Sequence, residues 1–148
     1  MTATLTANET VTATSVELFR DLIIRATLGQ VEEASVWYHG AQEVAHEVAR
    51  NLNSSLEIGA GVVSAFSPRE RWSSNITKAI AFSLGQTVSG LSNNLKMANA
   101  VLNEGIDGLK GLKTNAFARA IAGDTDAVVV DVWMMRAAQM KNDSPTQG

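Results

Sequence analysis

The chain has 148 residues, of which 45% are hydrophobic and 18% charged, and its formal net charge at pH 7 is −3. This length and composition predict one soluble domain that is large enough to bury a core. The absence of cysteine excludes a disulfide framework, a thiol nucleophile and a cysteine-ligated zinc site. The net negative charge argues against indiscriminate binding to nucleic acid.

The charges are distributed unevenly along the chain. Residues 1–68 carry three Arg and eight acidic side chains, whereas residues 69–148 carry nine basic and seven acidic side chains. The second half is therefore mildly positive, as expected of a local contact with nucleic acid. No apolar run is long enough to span a membrane and the N-terminus has no signal-peptide pattern, so we expect a cytoplasmic protein.

The two ends of the chain are predicted to be disordered. Residues 1–13 consist mostly of Thr and Ala, and the last residues are polar. We therefore predict tails at 1–13 and 142–148, on either side of one helical domain at 14–141.

The first predicted helix runs from Val16 to about Leu28. Thr14 and Glu17 have the spacing of a capping box, and Gly29 is predicted to end the helix.

The second and third helices are predicted at about 31–52 and 56–66. The second has a patchy apolar stripe that includes Val36 and Trp37. Ser54 and Glu57 form a second potential capping box before the third helix. That helix is apolar on every side, which places it at the centre of a bundle. Its two glycines, Gly59 and Gly61, allow a neighbouring helix to approach closely.

Three polar residues of the second helix have a spacing that occurs in metal sites. His39, Glu43 and His46 recur at i, i+4 and i+7, and the last two form the Glu-x-x-His motif of di-iron carboxylate helices. Such sites need a second motif, which the sequence lacks. We therefore predict a polar helix face with no metal and no cofactor.

The next helices follow a proline-containing loop. Pro68 disfavours the helical conformation at Ser67, which is predicted to cap the following helix, from about Trp72 to Leu84. A polar connection and a helix over about 95–102 come next. In total, we predict an all-α fold of six or seven helices.

The stretch from Gly108 to Arg136 holds the strongest functional signals. A turn at Gly108–Gly111 leads into an alanine-rich helix, and the run Val128–Val130 is predicted to be a buried apolar segment. Asp131 then opens a last helix that contains Arg136. An acid after three valines costs free energy if it is buried unpaired. Asp131 is therefore a helix cap, a functional group or both.

The order of these features resembles the helix-hairpin-helix DNA glycosylase superfamily, which includes endonuclease III, between Leu56 and Gln139. Lys113 and Asp131 are 18 positions apart, like the catalytic lysine and aspartate of bifunctional members. The Ser-Pro-Arg loop and the Val-Val-Asp-Val-Trp segment look closer to an uncharacterised bacteriophage branch, related to alpha-glutamyl-putrescinyl-thymine pyrophosphorylase-like proteins. The two hairpin glycines are one residue further apart than in the superfamily.

The resemblance implies an N-glycosidic chemistry with Asp131 and Lys113 as catalytic residues. Asp131 would stabilise positive charge on the sugar, and Lys113 would attack C1′. The partner would be duplex DNA with one flipped base, and a host protein is a second candidate partner. The residues expected to contact DNA lie in the proline loop and the hairpin: Ser67, Arg69, Arg71, Trp72, Asn75, Gly108, Lys110, Gly111 and Thr114.

Simpler interpretations remain for both catalytic candidates. Asp131 is equally explained as a helix N-cap, and Lys113 as a solvated lysine at a helix start. Three functions follow: a glycosylase-like enzyme, a DNA-binding or host-directed protein without chemistry, and an enzyme of DNA base hypermodification.

Overall fold

A computed structural model describes residues 13–131 and 135–136, with side chains from Val16 onward. This part of the chain contains six α-helices, one short 3₁₀ helix and no strand. The elements are α1 (Ala13–Arg25), α2 (Leu28–Asn51), α3 (Leu56–Ala65), α4 (Trp72–Ser83), α5 (Ser92–Glu104), the 3₁₀ helix (Gly105–Gly108) and α6 (Leu112–Ile121).

The prediction of a single all-α domain is confirmed. No helix within the described residues is long and apolar enough to cross a membrane. Ala13 begins α1, whereas the rest of the predicted N-terminal tail and all of residues 142–148 lie outside the described part.

Helix α3 forms the centre of the domain, as its composition predicts. Every residue from Gly59 to Ala65 is buried, and α3 packs against α2, α4, α5 and α6. A Cβ at Gly61 would lie 2.6 Å from Cγ1 of Val101, and one at Gly59 would collide with the carbonyl oxygen of Ala45. The predicted close approach at both glycines is therefore confirmed.

The boundary between α1 and α2 differs from the prediction. Thr14 lies inside α1 and is not its N-cap. Thr27 caps α2 instead: its Oγ1 accepts a hydrogen bond from the Gln30 N–H at 3.3 Å, and its own N–H donates to Gln30 Oε1 at 2.9 Å. This capping box places Gly29 in the first turn of α2, where it does not end a helix.

Two further predicted caps are wrong. The N-cap of α3 is Ser55, one residue after Ser54. The hydroxyl of Ser67 does not cap α4; it donates to the carbonyl oxygen of Ser64 at 2.8 Å and so closes the end of α3. Helix α4 begins only after a loop at 67–71 that contains Arg69 in a left-handed conformation, with φ of 61°.

The two N-terminal helices differ in how much of each packs against the rest of the domain. Helix α1 packs against no other described element. The first half of α2 is also exposed, and Val36 of the predicted apolar stripe is 68% exposed. The later part of that stripe is confirmed, because Val48 is buried and Val44 and Leu52 pack against the core. The second half of α2 is buried through Ala41, Ala45 and Val48. The core therefore begins at the middle of α2.

The 3₁₀ helix forms the turn between α5 and α6 and packs against both of them. Gly108 is buried, and a Cβ there would lie 2.6 Å from the carbonyl oxygen of Ala100. Asn115 Nδ2 donates to the carbonyl oxygens of Ile106 and Leu109, at 3.2 and 3.3 Å. These contacts fix the turn against α5 and determine where α6 begins.

The segment after α6 differs from the predicted buried run. Val128 and Val130 are 65% and 37% exposed, and only Val129 is half-buried. The Met135 N–H donates to the Asp131 carbonyl oxygen at 3.0 Å, and Met135 is buried. Asp131 therefore stands at the start of a helical turn, while residues 132–134 lie outside the described part.

Candidate functional site

A surface cleft of about 450 Å³ lies between α2, the start of α4 and α6. Its walls combine large aromatic side chains with a few polar groups, which is the usual character of a small-ligand site. We call it the aromatic cleft, and it is lined by Ala34, Trp37, Tyr38, Ser67, Glu70, Trp72, Asn75, Lys113, Phe117 and Val129.

The aromatic side chains form one contact cluster around Trp37. The ring centroid of Trp37 lies 4.9 Å from that of Trp72 and 5.9 Å from that of Phe117, and the latter pair is stacked with an angle of 25°. Tyr38 contacts Trp37 edge-on at 5.0 Å. Burial raises the pKa of the Tyr38 hydroxyl, so the ring remains neutral. Rings from three helices thus form flat apolar walls, on which a planar ligand can stack.

Glu70 is held in position at the polar side of the cleft. One carboxylate oxygen accepts a hydrogen bond from the Lys78 ammonium, and the other accepts one from the Ser74 hydroxyl at 2.8 Å. The hydrogen bond from Lys78 is the main cause of a lowered pKa at Glu70, to which Ser74 adds. The ionised carboxylate therefore ties the 67–71 loop to the outer face of α4.

Asn75 is the buried polar residue of the cleft wall. Its side chain is 1% exposed, and its Oδ1 has no hydrogen-bond partner among the described residues. Asn94 provides a contrast: it is 2% exposed and its Nδ2 donates to the carbonyl oxygen of Pro68 at 3.1 Å. The Oδ1 atom of Asn75 is therefore an acceptor for which the described part of the chain supplies no donor.

Five residues in and after the proline loop are predicted to contact DNA, and three of these five line the cleft. Ser67, Trp72 and Asn75 line it. Arg69 and Arg71 are exposed on the loop before α4. Their cationic groups are therefore available to solvent at the side of the cleft.

The hairpin residues are divided between the cleft and the protein interior. Lys113 lines the cleft from the first turn of α6. Lys110 donates to Glu104 Oε2 at 3.0 Å on the surface. The hydroxyl of Thr114 donates to the Gly111 carbonyl oxygen at 3.0 Å, and Thr114 is buried. Thr114 and Gly108 thus shape the turn, while Lys113 faces the cleft.

The relation of Asp131 to the cleft is indirect. Val129, two residues earlier, lines the cleft, whereas Asp131 is half-buried and is not one of the lining residues. Trp133, which follows in the same motif, lies outside the described residues. Of the predicted pair, Lys113 therefore lies on the cleft wall and Asp131 does not.

Six residues that line the cleft were not predicted as site residues from the sequence: Ala34, Trp37, Tyr38, Glu70, Phe117 and Val129. The chain has three Trp, one Tyr and four Phe, and half of these eight aromatic residues line the cleft. The pair Trp37-Tyr38 on an exposed helix segment was the available signal. Periodicity alone places Trp37 in the apolar stripe of α2 and does not indicate its contacts in the cleft.

The three polar residues of α2 lie on an exposed face of the helix. His39, Glu43 and His46 are all exposed. Within the described residues, no three His, Asp or Glu side chains are grouped in a way that could hold a metal ion.

Comparison with known proteins identifies a family but no activity. A family model described as "Family of unknown function (DUF7178)" matches residues 1–147. No curated protein and no solved structure matches the chain. The function must therefore be inferred from the cleft.

Proposed function

We propose that the chain, which belongs to the DUF7178 family of unknown function, binds duplex DNA and receives one extruded base in the aromatic cleft. The observation that carries this proposal is the composition of the cleft. It unites the Trp37 ring, which contacts both Trp72 and Phe117, with polar groups from distant parts of the chain: Ser67, Asn75 and Lys113. Proteins that act on a flipped base stack it between aromatic side chains and read its polar edge.

The surroundings of the cleft favour a phosphate backbone. Arg69 and Arg71 are exposed beside it, and Lys113 is exposed on its wall. Helix α6 begins at the hairpin without a side-chain cap at Gly111. Its first N–H groups and the positive end of its dipole favour an anion at this point. Phosphates on both sides of an extruded base would therefore meet positive charge.

The chemistry that we propose is cleavage of the N-glycosidic bond, on a fold similar to that of helix-hairpin-helix glycosylases. The bond from C1′ to the base nitrogen breaks, and its electron pair leaves with the base, which takes up a proton. Asp131 stabilises the positive charge that develops on the sugar. A water molecule or the Lys113 amine, once deprotonated, forms the new bond to C1′. Lys113 comes from the first turn of α6, and Asp131 comes from the start of the last helical turn.

A second candidate function is DNA binding without chemistry. It is favoured by the position of Asp131, which is not on the cleft surface in this structure. In either case, we propose a bacteriophage protein that acts in the host cytoplasm, with DNA or a host protein as its partner. A base hypermodification enzyme on the same fold is the third candidate.

One screen separates these candidates. Purified protein is incubated with duplexes that carry uracil, hydroxymethyluracil, oxidised or alkylated bases, and with phage-modified DNA. A glycosylase releases a free base, a hypermodification enzyme changes the mass of a base that stays attached, and a binding protein does neither. The catalytic proposal fails if DNA is bound and no base is released from any substrate.

The variants Asp131→Asn and Lys113→Gln test whether these two residues take part in the chemistry. Asn caps a helix about as well as Asp, so Asp131→Asn should change the unfolding free energy by about 1 kcal/mol or less. Base release should nevertheless fall by orders of magnitude. Borohydride should trap the parent on DNA if Lys113 is the nucleophile, and Lys113→Gln should abolish the trapping. Unchanged release by Asp131→Asn would show that Asp131 is only a cap.

A further inference from the structure

The unpartnered oxygen of Asn75 indicates what the cleft recognises. Buried side-chain acceptors in folded proteins almost always have a hydrogen-bond donor, and an exception calls for an explanation. Asn75 is 1% exposed and its Oδ1 has no partner among the described residues, although it lies in the wall of a ligand-sized cleft. Asn94 shows that the same fold can satisfy a buried asparagine in the usual way.

No polar group among the described residues donates a hydrogen bond to Asn75 Oδ1. Three donors of the loop and of α4 are already engaged, since the Ser67 hydroxyl donates to the Ser64 carbonyl oxygen and both Ser74 and Lys78 donate to Glu70. The same cleft wall carries the rings of Trp37, Trp72 and Phe117 and the polar groups of Tyr38, Ser67 and Lys113. None of these groups donates a hydrogen bond to Asn75 Oδ1.

We infer that Asn75 is a specificity-determining residue, whose Oδ1 accepts a hydrogen bond from a single ring N–H on the edge of a base in the cleft. This inference rests on the proposed base-binding function. One free acceptor matches one donor hydrogen, which uracil-type and guanine-type bases carry beside a carbonyl group. Adenine-type and cytosine-type bases have no ring N–H on this edge and offer only an exocyclic amine.

The first test separates a recognition role from a structural role. Replacing an unsatisfied buried acceptor by an apolar side chain of similar shape is neutral or stabilising, whereas removing a satisfied one is destabilising. Asn75→Leu should therefore keep or raise the melting temperature. The matched variant Asn94→Leu should lower it, because it removes the hydrogen bond to Pro68. A comparable loss in both variants would mean that Asn75 is structural and would overturn the inference.

The second test measures recognition directly. The parent protein is titrated with two pairs of nucleosides, uridine with N3-methyluridine and guanosine with N1-methylguanosine, while the indole N–H resonances are followed by NMR. Methylation removes only the ring N–H. The unmethylated member of at least one pair should bind about 5- to 150-fold more tightly than its methylated partner. In Asn75→Leu, this preference should disappear.

Two outcomes contradict the inference in different ways. If the methylated and unmethylated nucleosides bind equally, the ring N–H is not read. If neither pair perturbs the indole resonances, the cleft does not hold a keto base. In both cases, a gel-shift measurement with duplex DNA decides independently whether the proposed DNA-binding function still stands.

Discussion

At the scale of single residues, Glu70 links the loop that carries Arg69 and Arg71 to the rigid part of the domain. Its carboxylate binds both Lys78 and Ser74, which lie on successive turns of α4. The Glu70 and Lys78 side chains are only 15% and 19% exposed, so this pair is less screened than a surface pair. The hydrogen bonds of the ionised Glu70 carboxylate therefore hold the loop against α4.

The first prediction concerns pH. The folded-state pKa of Glu70 is lowered by Lys78, so its ionised form stabilises the fold above the unfolded-state pKa of about 4.3. That contribution is lost as the pH falls through the lower, folded-state value. Urea unfolding between neutral and acidic pH should show a smaller loss of stability in Glu70→Gln than in the parent. Equal losses in the two proteins would exclude this contribution.

The second prediction concerns two glycines of neighbouring helices. A Cβ at Gly59 would meet the backbone of α2, which cannot move aside, so Gly59→Ala should reduce the unfolding free energy by about 1–3 kcal/mol or more. Gly40 lies within α2, and a Cβ there meets nothing within 4 Å. Gly40→Ala should therefore raise stability by about 0.5–1 kcal/mol through helix propensity. Denaturant unfolding measures both, and the same sign for both changes would contradict the close packing of α3 on α2.

At the scale of elements, the sequence predicts helix bounds best where an apolar segment ends at a helix-breaking residue. The bounds of α3 and α4 were predicted within one residue, because each is a short apolar segment between a polar loop and Pro68 or Gly85. The predicted buried valine run failed for a physical reason. Three consecutive valines show that a segment is apolar, but not whether another element is close enough to cover it.

The aromatic cleft could be predicted only in part. Ser67, Trp72 and Asn75 were recognised as a local cluster, and Lys113 from its place in the hairpin. Trp37 was missed because its contacts with Trp72 and Phe117 join residues that are 35 and 80 positions apart. Local periodicity carries no information on such contacts.

The third prediction concerns α1. This helix packs against no other described element, and its Ile23 and Ile24 are more than 70% exposed. Helical stability in proteins comes mainly from packing, so deleting residues 1–25 should change the unfolding free energy of the domain by about 1 kcal/mol or less. Ala45→Asp, in the buried half of α2, serves as the opposite control and should unfold the protein. A large, cooperative loss of stability in the deletion variant would show that α1 contributes to the core.

At the scale of the whole molecule, the charge distribution supports a limited contact with DNA. The chain is acidic overall, yet its second half has a surplus of basic residues, and Arg69, Arg71 and Lys113 are exposed around the cleft. Lys110 is already partly neutralised by Glu104. The molecule should therefore make few phosphate contacts and should rely on the cleft for selectivity.

The fourth prediction is that duplex binding is weak and depends on salt with a shallow slope. Each phosphate contact contributes about −0.9 to the slope of log affinity against log salt, so a few contacts should give a slope of about −2 to −4. Replacing Arg69, Arg71, Lys110 and Lys113 together by Ala should bring the slope close to zero in a fluorescence anisotropy titration. A control with the same loss of charge replaces four exposed basic residues outside the cleft: Arg20, Arg25, Arg50 and Lys96. If the control loses as much affinity as the cleft variant, the DNA site lies elsewhere.

The contact between Trp37 and Trp72 also gives the protein an intrinsic optical signal. Two indoles whose centroids are 4.9 Å apart and whose planes are inclined at 46° will couple their electronic transitions and produce a paired positive and negative band in circular dichroism. A ligand that changes the distance between the indoles or their relative orientation will alter that band. Binding of such a ligand can thus be followed in unlabelled protein.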